Sequence, residues 1–172
     1  SANIKILEFG SGCGAITRYL GENYESVDAI EGSSLRAQIT RERCRDLKNV
    51  RVFCSNVKHV KFEPKYDIVT LIGVLEYAPL FIKDQGNVKE SCLSLLRLAK
   101  TALSENGVLI IAIENKIGLK YWSGCPEDHT RKMFDSIHGY TGSRILATFS
   151  KKELEALLRE IGFSHISFYY CF

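Results

Sequence analysis

The sequence predicts a single α/β domain with a doubly wound, mostly parallel sheet, and two observations carry this prediction. Short apolar runs typical of buried strands alternate with longer runs of helical spacing along most of the 172 residues. This alternation is the pattern of β-α-β units, whose crossovers place helices on both faces of a parallel sheet. With 45% hydrophobic and 25% charged residues, the chain also has the composition of a globular domain that buries a core.

Six strands are predicted from the apolar runs, at residues 4–9, 27–30, 50–54, 67–72, 108–113 and 166–172. The fourth and fifth runs are apolar throughout, which is typical of strands buried on both faces of a sheet. Helical patterns begin near residues 15 and 88. Ser33 or Ser34 can cap a further helix that runs to about Arg45. Ser150 and Glu153 have the spacing of a capping box and predict the start of the last helix.

The charge pattern and the cysteines exclude several classes of function. The net charge is only +3 and basic residues are interleaved with acids, so we expect no nucleic-acid partner. No apolar stretch approaches the roughly 18 residues of a membrane-spanning helix, and no signal-peptide pattern is present. None of the six cysteines forms a C-x-x-C pair. We therefore expect no metal site, and reduced thiols in a cytoplasmic protein.

A glycine-rich loop follows the first predicted strand, where residues 8–15 read Glu-Phe-Gly-Ser-Gly-Cys-Gly-Ala. Glycines let the backbone turn sharply and let a ligand approach the main chain. Free N–H groups at the start of the next helix favour an anionic ligand group. Glu31 ends the second strand, where a carboxylate can accept both hydroxyl hydrogens of a ribose. The loop contains both G-x-G-x-x-A, the dinucleotide fingerprint, and E-x-G-x-G-x-G.

The surroundings of the loop favour the second of these patterns. Glu8 would repel a pyrophosphate but attract the ammonium group of a methionine moiety, and Gly14 is a third glycine that a dinucleotide site does not need. Together with the residues that end the third and fourth strands, these features make residues 4–115 resemble the class I S-adenosylmethionine-dependent methyltransferases. A nicotinamide or flavin enzyme remains the alternative.

The resemblance implies a Rossmann-like fold that binds S-adenosylmethionine along the ends of its strands. The implied cofactor-binding residues are Glu8, Gly10, Gly12, Gly14, Glu31, Gly32, Ser33, Asn56, Val57, Gly73 and Val74. Asn56 departs from the family pattern, which often has an acid that contacts the adenine amino group, although an amide oxygen can also accept that hydrogen bond. The family sheet has seven strands, so six strands imply a sheet that lacks its last strand and a longer natural protein.

A second stretch, residues 113–122 with 126–130, resembles a bacterial methyltransferase group found beside or fused to glycosyltransferases in surface-polysaccharide pathways. This resemblance implies O-methylation of a saccharide or a related small polar acceptor. It also implies a glycosyltransferase as a partner in the same pathway or chain. A methyltransferase-like module that binds the cofactor or a partner without catalysis is the alternative from a different class.

Residues 116–149, called the lid segment below, interrupt the alternation of strands and helices with a long polar and aromatic stretch. Long irregular segments inside compact domains are usually functional, so we expect a mobile lid on the acceptor side. His129 is the predicted general base, because histidine titrates nearest to neutrality. Glu127 and Asp128 are expected to orient its ring. The competing candidates are Glu76, His138 and Tyr140.

Overall fold

The computed structural model describes residues 2–62, 66–82, 87–138, 140 and 146–170. Its centre is a parallel sheet of five strands in the order β3-β2-β1-β4-β5. The strands are β1 Ala2–Phe9, β2 Tyr24–Glu31, β3 Val50–Cys54, β4 Tyr66–Ile72 and β5 Leu103–Ala112. The strand order reverses beside β1, and in open parallel sheets ligands bind beyond the carboxyl ends of the strands at such a reversal. The glycine-rich loop follows β1 directly.

Within the described ranges, six α-helices connect or follow these strands. They are α1 Ala15–Asn23, α2 Ser34–Arg43, α3 Ala78–Phe81, α4 Val88–Ala102, α5 Leu119–Trp122 and α6 Lys151–Glu160. Short 3₁₀ turns lie at Val57–His59, Leu75–Tyr77 and Asp135–His138. None of the helices in the described part of the chain is both long and apolar enough to cross a bilayer.

The two predicted helix caps are confirmed. The Ser33 hydroxyl accepts a hydrogen bond from the Arg36 backbone N–H at the start of α2. At the start of α6, the Ser150 hydroxyl accepts from the Glu153 N–H while the Glu153 carboxylate accepts from the Ser150 N–H. Each cap satisfies N–H groups that the first turn of a helix leaves without partners.

The helix that follows the loop is held against the sheet by an apolar cluster. Ile6 and Val27, from neighbouring strands, are fully buried together with Leu20 of α1. Full burial of such a side chain contributes roughly 1.5–3 kcal/mol each. Ile4, Ile16, Tyr24, Val50 and Ile68 pack around this cluster. The position of α1, and with it the end of the loop, is therefore fixed by the core.

The chain forms two compact units. The first comprises Ser1–Val74 and Leu98–Ala112 and contains the whole sheet. The second comprises Leu75–Arg97 and Ile113–Phe172 and contains the lid segment. Within the second unit the side chains of Tyr121 and Glu127 are each only 1% exposed, so the lid segment has a packed interior of its own. Its mobility stays a prediction.

The prediction of a sixth strand at residues 166–172 is wrong for 166–170, and residues 171 and 172 lie outside the described part. Residues 163–170 are irregular and enter no ladder with the described strands. A run of β-branched and aromatic residues becomes a strand only when a neighbouring strand pairs with it. Here Tyr169 is 90% exposed while Ile166 and Phe168 are half-buried, so the run has a partly packed face but no ladder with the described strands.

Candidate functional site

The glycine-rich loop is held by backbone and side-chain hydrogen bonds within the first unit. The N–H groups of Gly10 and Ser11 both donate to the Ile30 carbonyl, at 2.8 and 3.2 Å. The Thr40 hydroxyl of α2 donates to the Gly12 carbonyl at 2.9 Å. The end of β2 and one face of α2 therefore determine the path of the loop after β1.

The loop glycines have two different reasons for being glycine. A Cβ atom on Gly10 would lie 2.5 Å from Val74 Cγ2, and one on Gly14 would lie 2.8 Å from Thr40 Cγ2. These two positions are glycine because the protein packs against them. Gly12 instead combines a φ of +56° with open space, since no atom lies within 4 Å of its Cβ position. Gly32 also faces open space.

Glu31 ties this open loop to the end of β2 and is almost completely buried. Its Oε2 accepts the Gly12 N–H at 2.9 Å, and its Oε1 accepts the Ser33 N–H at 2.8 Å. The Arg36 guanidinium donates twice more to Oε1, at 2.8 and 3.1 Å. Oε1 thus has three donors and Oε2 has one, so a ribose hydroxyl can reach Oε2 while Arg36 occupies Oε1. The pairing with Arg36 was not foreseen from the sequence.

Glu8 is the second buried carboxyl of this edge. The Thr17 hydroxyl of α1 donates to Glu8 Oε2 at 2.5 Å. Burial raises the pKa of Glu8, the Thr17 hydrogen bond opposes that rise, and the charge of Glu31 adds to it. Glu8 therefore links β1 to α1, and its predicted attraction for an ammonium group stays a prediction.

The remaining predicted cofactor residues follow β3 and β4. The Asn56 side-chain oxygen accepts the Lys58 N–H at 3.0 Å and caps the turn that begins at Val57, which is buried. The Gly73 N–H donates to the Ala112 carbonyl at 3.0 Å, and Val74 covers Gly10. Ladder pairs between strand ends, Phe9 with Ile30, Phe9 with Leu71 and Glu31 with Cys54, bring these residues to one edge of the sheet.

The residues at this edge fit S-adenosylmethionine. The space beside Gly12 and Gly32 is open to a ligand, and the N–H groups of the first turn of α1, which have no acceptor within the helix, suit a carboxylate. Glu31 Oε2 retains acceptor capacity for a ribose hydroxyl. A pyrophosphate would instead place its charge near two buried carboxyls, Glu8 and Glu31.

In the second unit, His129 has a polar partner at each ring nitrogen. Its Nε2 lies 2.8 Å from Glu114 Oε2, and both atoms are shielded from solvent. The contact is short but imperfectly aligned for a hydrogen bond, as is common for catalytic pairs without substrate. Its Nδ1 lies 3.3 Å from the Tyr77 hydroxyl, and the two rings meet edge to face with centroids 5.5 Å apart.

The expectation that Glu127 and Asp128 orient His129 is wrong. Glu127 accepts hydrogen bonds from the backbone N–H and the hydroxyl of Ser136. Asp128 accepts from Lys120 and from the Tyr121 hydroxyl. Glu127, Asp128 and His129 are adjacent in sequence, but their side chains contact different partners because this segment of the chain is irregular.

Glu114 is the carboxyl group that contacts the His129 ring instead. Burial raises the pKa of the Glu114 carboxyl, and the adjacent His129 opposes that rise. The one signal in the sequence was its place two residues after the fifth strand, at the edge where functional groups of parallel sheets collect.

A cavity of about 250 Å³ in the second unit is lined by Tyr77, Leu80, Asp128, His129 and Leu146. It offers a phenol, an imidazole and a carboxylate beside two aliphatic side chains, a mixture that suits a small polar molecule with apolar ring faces.

The three competing candidates for the base are less suitable or not described. The Tyr140 hydroxyl contacts Thr148 Oγ1 at 3.2 Å, and burial raises the pKa of Tyr140 to about 12. Glu76 is buried and is not among the residues that line the cavity. The side chain of His138 lies outside the described part of the structure.

Comparison with known proteins identifies the family. A family model described as a methyltransferase domain matches residues 1–167. The chain is also 33% identical over 86 residues to ribosomal RNA small subunit methyltransferase A of Streptococcus thermophilus. That match covers 50% of this chain and 28% of the relative, so the chain spans a minor part of the length of the curated proteins it matches.

Solved methyltransferases share the fold at lower identity. An S-adenosylmethionine-dependent methyltransferase from Methanosarcina mazei matches with a TM-score of 0.67 and 16% identity, over 94% of this chain and 80% of its own. CalS10, an amino pentose methyltransferase from Micromonospora echinaspora solved with S-adenosylmethionine bound, matches with a TM-score of 0.53 and 18% identity, over 64% of this chain and 42% of its own. The predicted Rossmann-like fold is confirmed, and the predicted cofactor agrees with these relatives. Because the family model matches nearly its whole length, this chain belongs to the family of methyltransferase domains.

Proposed function

We propose that this chain transfers a methyl group from S-adenosylmethionine to a hydroxyl group of a saccharide or a related small polar acceptor. The observation that supports the cofactor half of the proposal best is the loop after β1. Gly12 leaves that loop open to a ligand, and the buried Glu31 carboxylate holds it at the Gly12 N–H. The same carboxylate presents an acceptor for a ribose hydroxyl.

S-adenosylmethionine supplies, when bound, a methyl carbon made electrophilic by its sulfonium. The N–H groups of the first turn of α1 would hold the methionine carboxylate, and Glu31 would hold the ribose. The residues of the protein would then align the acceptor with the methyl group, and such alignment can lower a barrier by about 7–11 kcal/mol. They would also remove the proton of the acceptor hydroxyl, which increases a rate by roughly 10²–10⁴-fold.

The acceptor is proposed on two grounds. Residues 113–130 resemble methyltransferases found with glycosyltransferases in surface-polysaccharide pathways, and a glycosyltransferase of such a pathway is the partner we propose. The cavity beside His129 combines polar groups with Leu80 and Leu146, as the ring faces of a sugar require. An RNA acceptor is disfavoured, because the net charge is only +3 and the basic residues form no stripe.

We propose His129 for general-base catalysis, since its imidazole lines the cavity and the Glu114 carboxyl group lies close enough to stabilise the imidazolium form. The test is His129→Ala, with exposed His165→Ala as the matched control. Methyl transfer from radiolabelled S-adenosylmethionine to cell-envelope polysaccharide should fall about 10²-fold or more in the first variant and stay normal in the second, with cofactor affinity unchanged in both. Cofactor binding without turnover by the unaltered protein would instead indicate a non-catalytic module.

A further inference from the structure

The two ring nitrogens of His129 have different chemical partners. Glu114 Oε2 lies 2.8 Å from Nε2, and the Tyr77 hydroxyl lies 3.3 Å from Nδ1. A carboxylate accepts hydrogen bonds only, so in the neutral ring the proton belongs on Nε2, which leaves Nδ1 as the basic atom. The basic nitrogen of the predicted base therefore faces a phenol of the protein.

The wall of the cavity is more accessible at Tyr77 than at His129. The Tyr77 residue is 37% exposed, whereas the His129 side chain is 10% exposed. Both residues line the same cavity of about 250 Å³. A hydroxyl group bound there can approach the phenol oxygen, while the basic atom of His129 is already engaged by that same phenol.

We propose that Tyr77 is the catalytic residue that receives the proton of the acceptor hydroxyl, that His129 receives the phenol proton in the same step, and that Glu114 is the positioning residue of this relay. The inference rests on the proposed function, because it describes how the proton leaves during that methyl transfer. It differs from direct removal by His129 in the atom that touches the acceptor.

The step balances in atoms and charge. The acceptor's O–H bond breaks as its oxygen–methyl bond forms, and the electron pair of the former sulfur–methyl bond stays on sulfur. The acceptor proton goes to the Tyr77 oxygen, and the Tyr77 proton goes to His129 Nδ1. The positive charge lost by the sulfonium reappears as an imidazolium beside the Glu114 carboxylate. Solvent removes that proton from the ring after product leaves.

Among the described residues, three other titratable groups lie near the ring of His129: Tyr140, Glu76 and Asp128. Tyr140 meets His129 edge to face with centroids 6.2 Å apart. The buried carboxyl of Glu76 interacts electrostatically with His129. Asp128 lines the same cavity as His129 and shares a hydrogen bond with Glu114, so replacement of Glu114 also changes the surroundings of Asp128.

The test compares Tyr77→Phe and Glu114→Gln with Tyr169→Phe, a change at an exposed tyrosine. The relay predicts at least a 10²-fold loss of kcat in Tyr77→Phe, with KM and cofactor affinity within twofold, and normal kinetics in Tyr169→Phe. It also predicts a bowed dependence of kcat on the deuterium fraction of the solvent, since two protons move together. Glu114→Gln should lower kcat and leave KM within twofold, because the imidazolium formed in this step loses its counter-charge.

The outcomes separate this inference from the proposed function. Near-normal turnover of Tyr77→Phe, alongside a defective His129→Ala, overturns the relay and leaves His129 as the direct base. A linear solvent-isotope dependence also overturns it. Failure of the unaltered protein to methylate any polysaccharide defeats the proposed function itself. Even in that case, the ¹⁵N resonance of His129 Nδ1 should change in Tyr77→Phe, since this resonance reports the contact between the two side chains without turnover. An unchanged resonance would contradict the contact on which the relay depends.

Discussion

Single side chains determine what the loop after β1 can hold. Val74 and Thr40 occupy the space beside Gly10 and Gly14, whereas Gly12 borders open space. The motif in the sequence could predict that three glycines lie between a strand and a helix. It could not predict which glycines pack against other side chains and which leave space for a ligand. That distinction depends on Val74, just after β4, and on Thr40 of α2, which are remote from the loop in sequence.

The sequence pattern did not identify Arg36 as a residue of this site, although it lies on the first turn of the predicted helix. Its guanidinium occupies Oε1 of Glu31, the oxygen that a ribose diol would share with Oε2. We predict that Arg36→Met binds S-adenosylhomocysteine more tightly, by up to about fivefold, because a ribose hydroxyl can then donate to Oε1 and one hydrogen bond contributes about 1 kcal/mol. Calorimetry on the purified variant measures this directly.

Arg41→Met is the control, since Arg41 lies on the same helix but donates to the Val52 carbonyl. Its affinity for S-adenosylhomocysteine should equal that of the unaltered protein. A tenfold loss of affinity in Arg36→Met would show that Arg36 supports the ligand and would contradict the competition inferred here.

At the scale of elements, predictions held where the signal was local. The cap at Ser33 and the capping box of Ser150 with Glu153 follow from hydrogen bonds within four residues, so the pattern sufficed. The strand predicted at 166–172 failed over its described residues because a strand needs a partner that local pattern cannot supply. The contact of His129 with Glu114 was missed for the same reason, since it joins two irregular segments.

The lid segment carries a prediction about motion. Many of its backbone hydrogen bonds close single turns, such as those from the N–H groups of Gly118, Tyr121 and Arg131. Arg131, Phe134 and Tyr140 also have φ values of 55–59°, which non-glycine residues seldom adopt without strain. Local turns of this kind open more easily than helices packed on a sheet.

We therefore expect low amide hydrogen-exchange protection in the described part of the lid segment of the free protein, and a rise in protection when cofactor and acceptor bind. Exchange followed by mass spectrometry measures this, with peptides from α4 as the reference for a stable element. Protection in the lid segment equal to that of α4 in the free protein would argue against a lid.

At the scale of the whole molecule, the sheet order and the family agree. The order β3-β2-β1-β4-β5 places the ends of four strands along one edge, and every predicted cofactor residue lies at the end of one of those strands or shortly after it. This could be predicted because strand ends are marked by polar and glycine residues in the sequence. The acceptor could not, because its candidate residues belong to irregular chain in the second unit, where the sequence has no period to interpret.

The measurement that tests the central claim most directly is calorimetric titration of the protein with S-adenosylmethionine, S-adenosylhomocysteine and NAD. We predict one site for each of the first two ligands and no binding of NAD. Gly12→Val should abolish binding because its side chain would fill the open space beside the loop. The variant should stay folded, since no neighbouring atom is displaced and the strained backbone costs only about 1–2 kcal/mol, and a thermal melt checks this. Preferential binding of NAD, or undiminished S-adenosylmethionine binding by a folded Gly12→Val protein, would contradict the account.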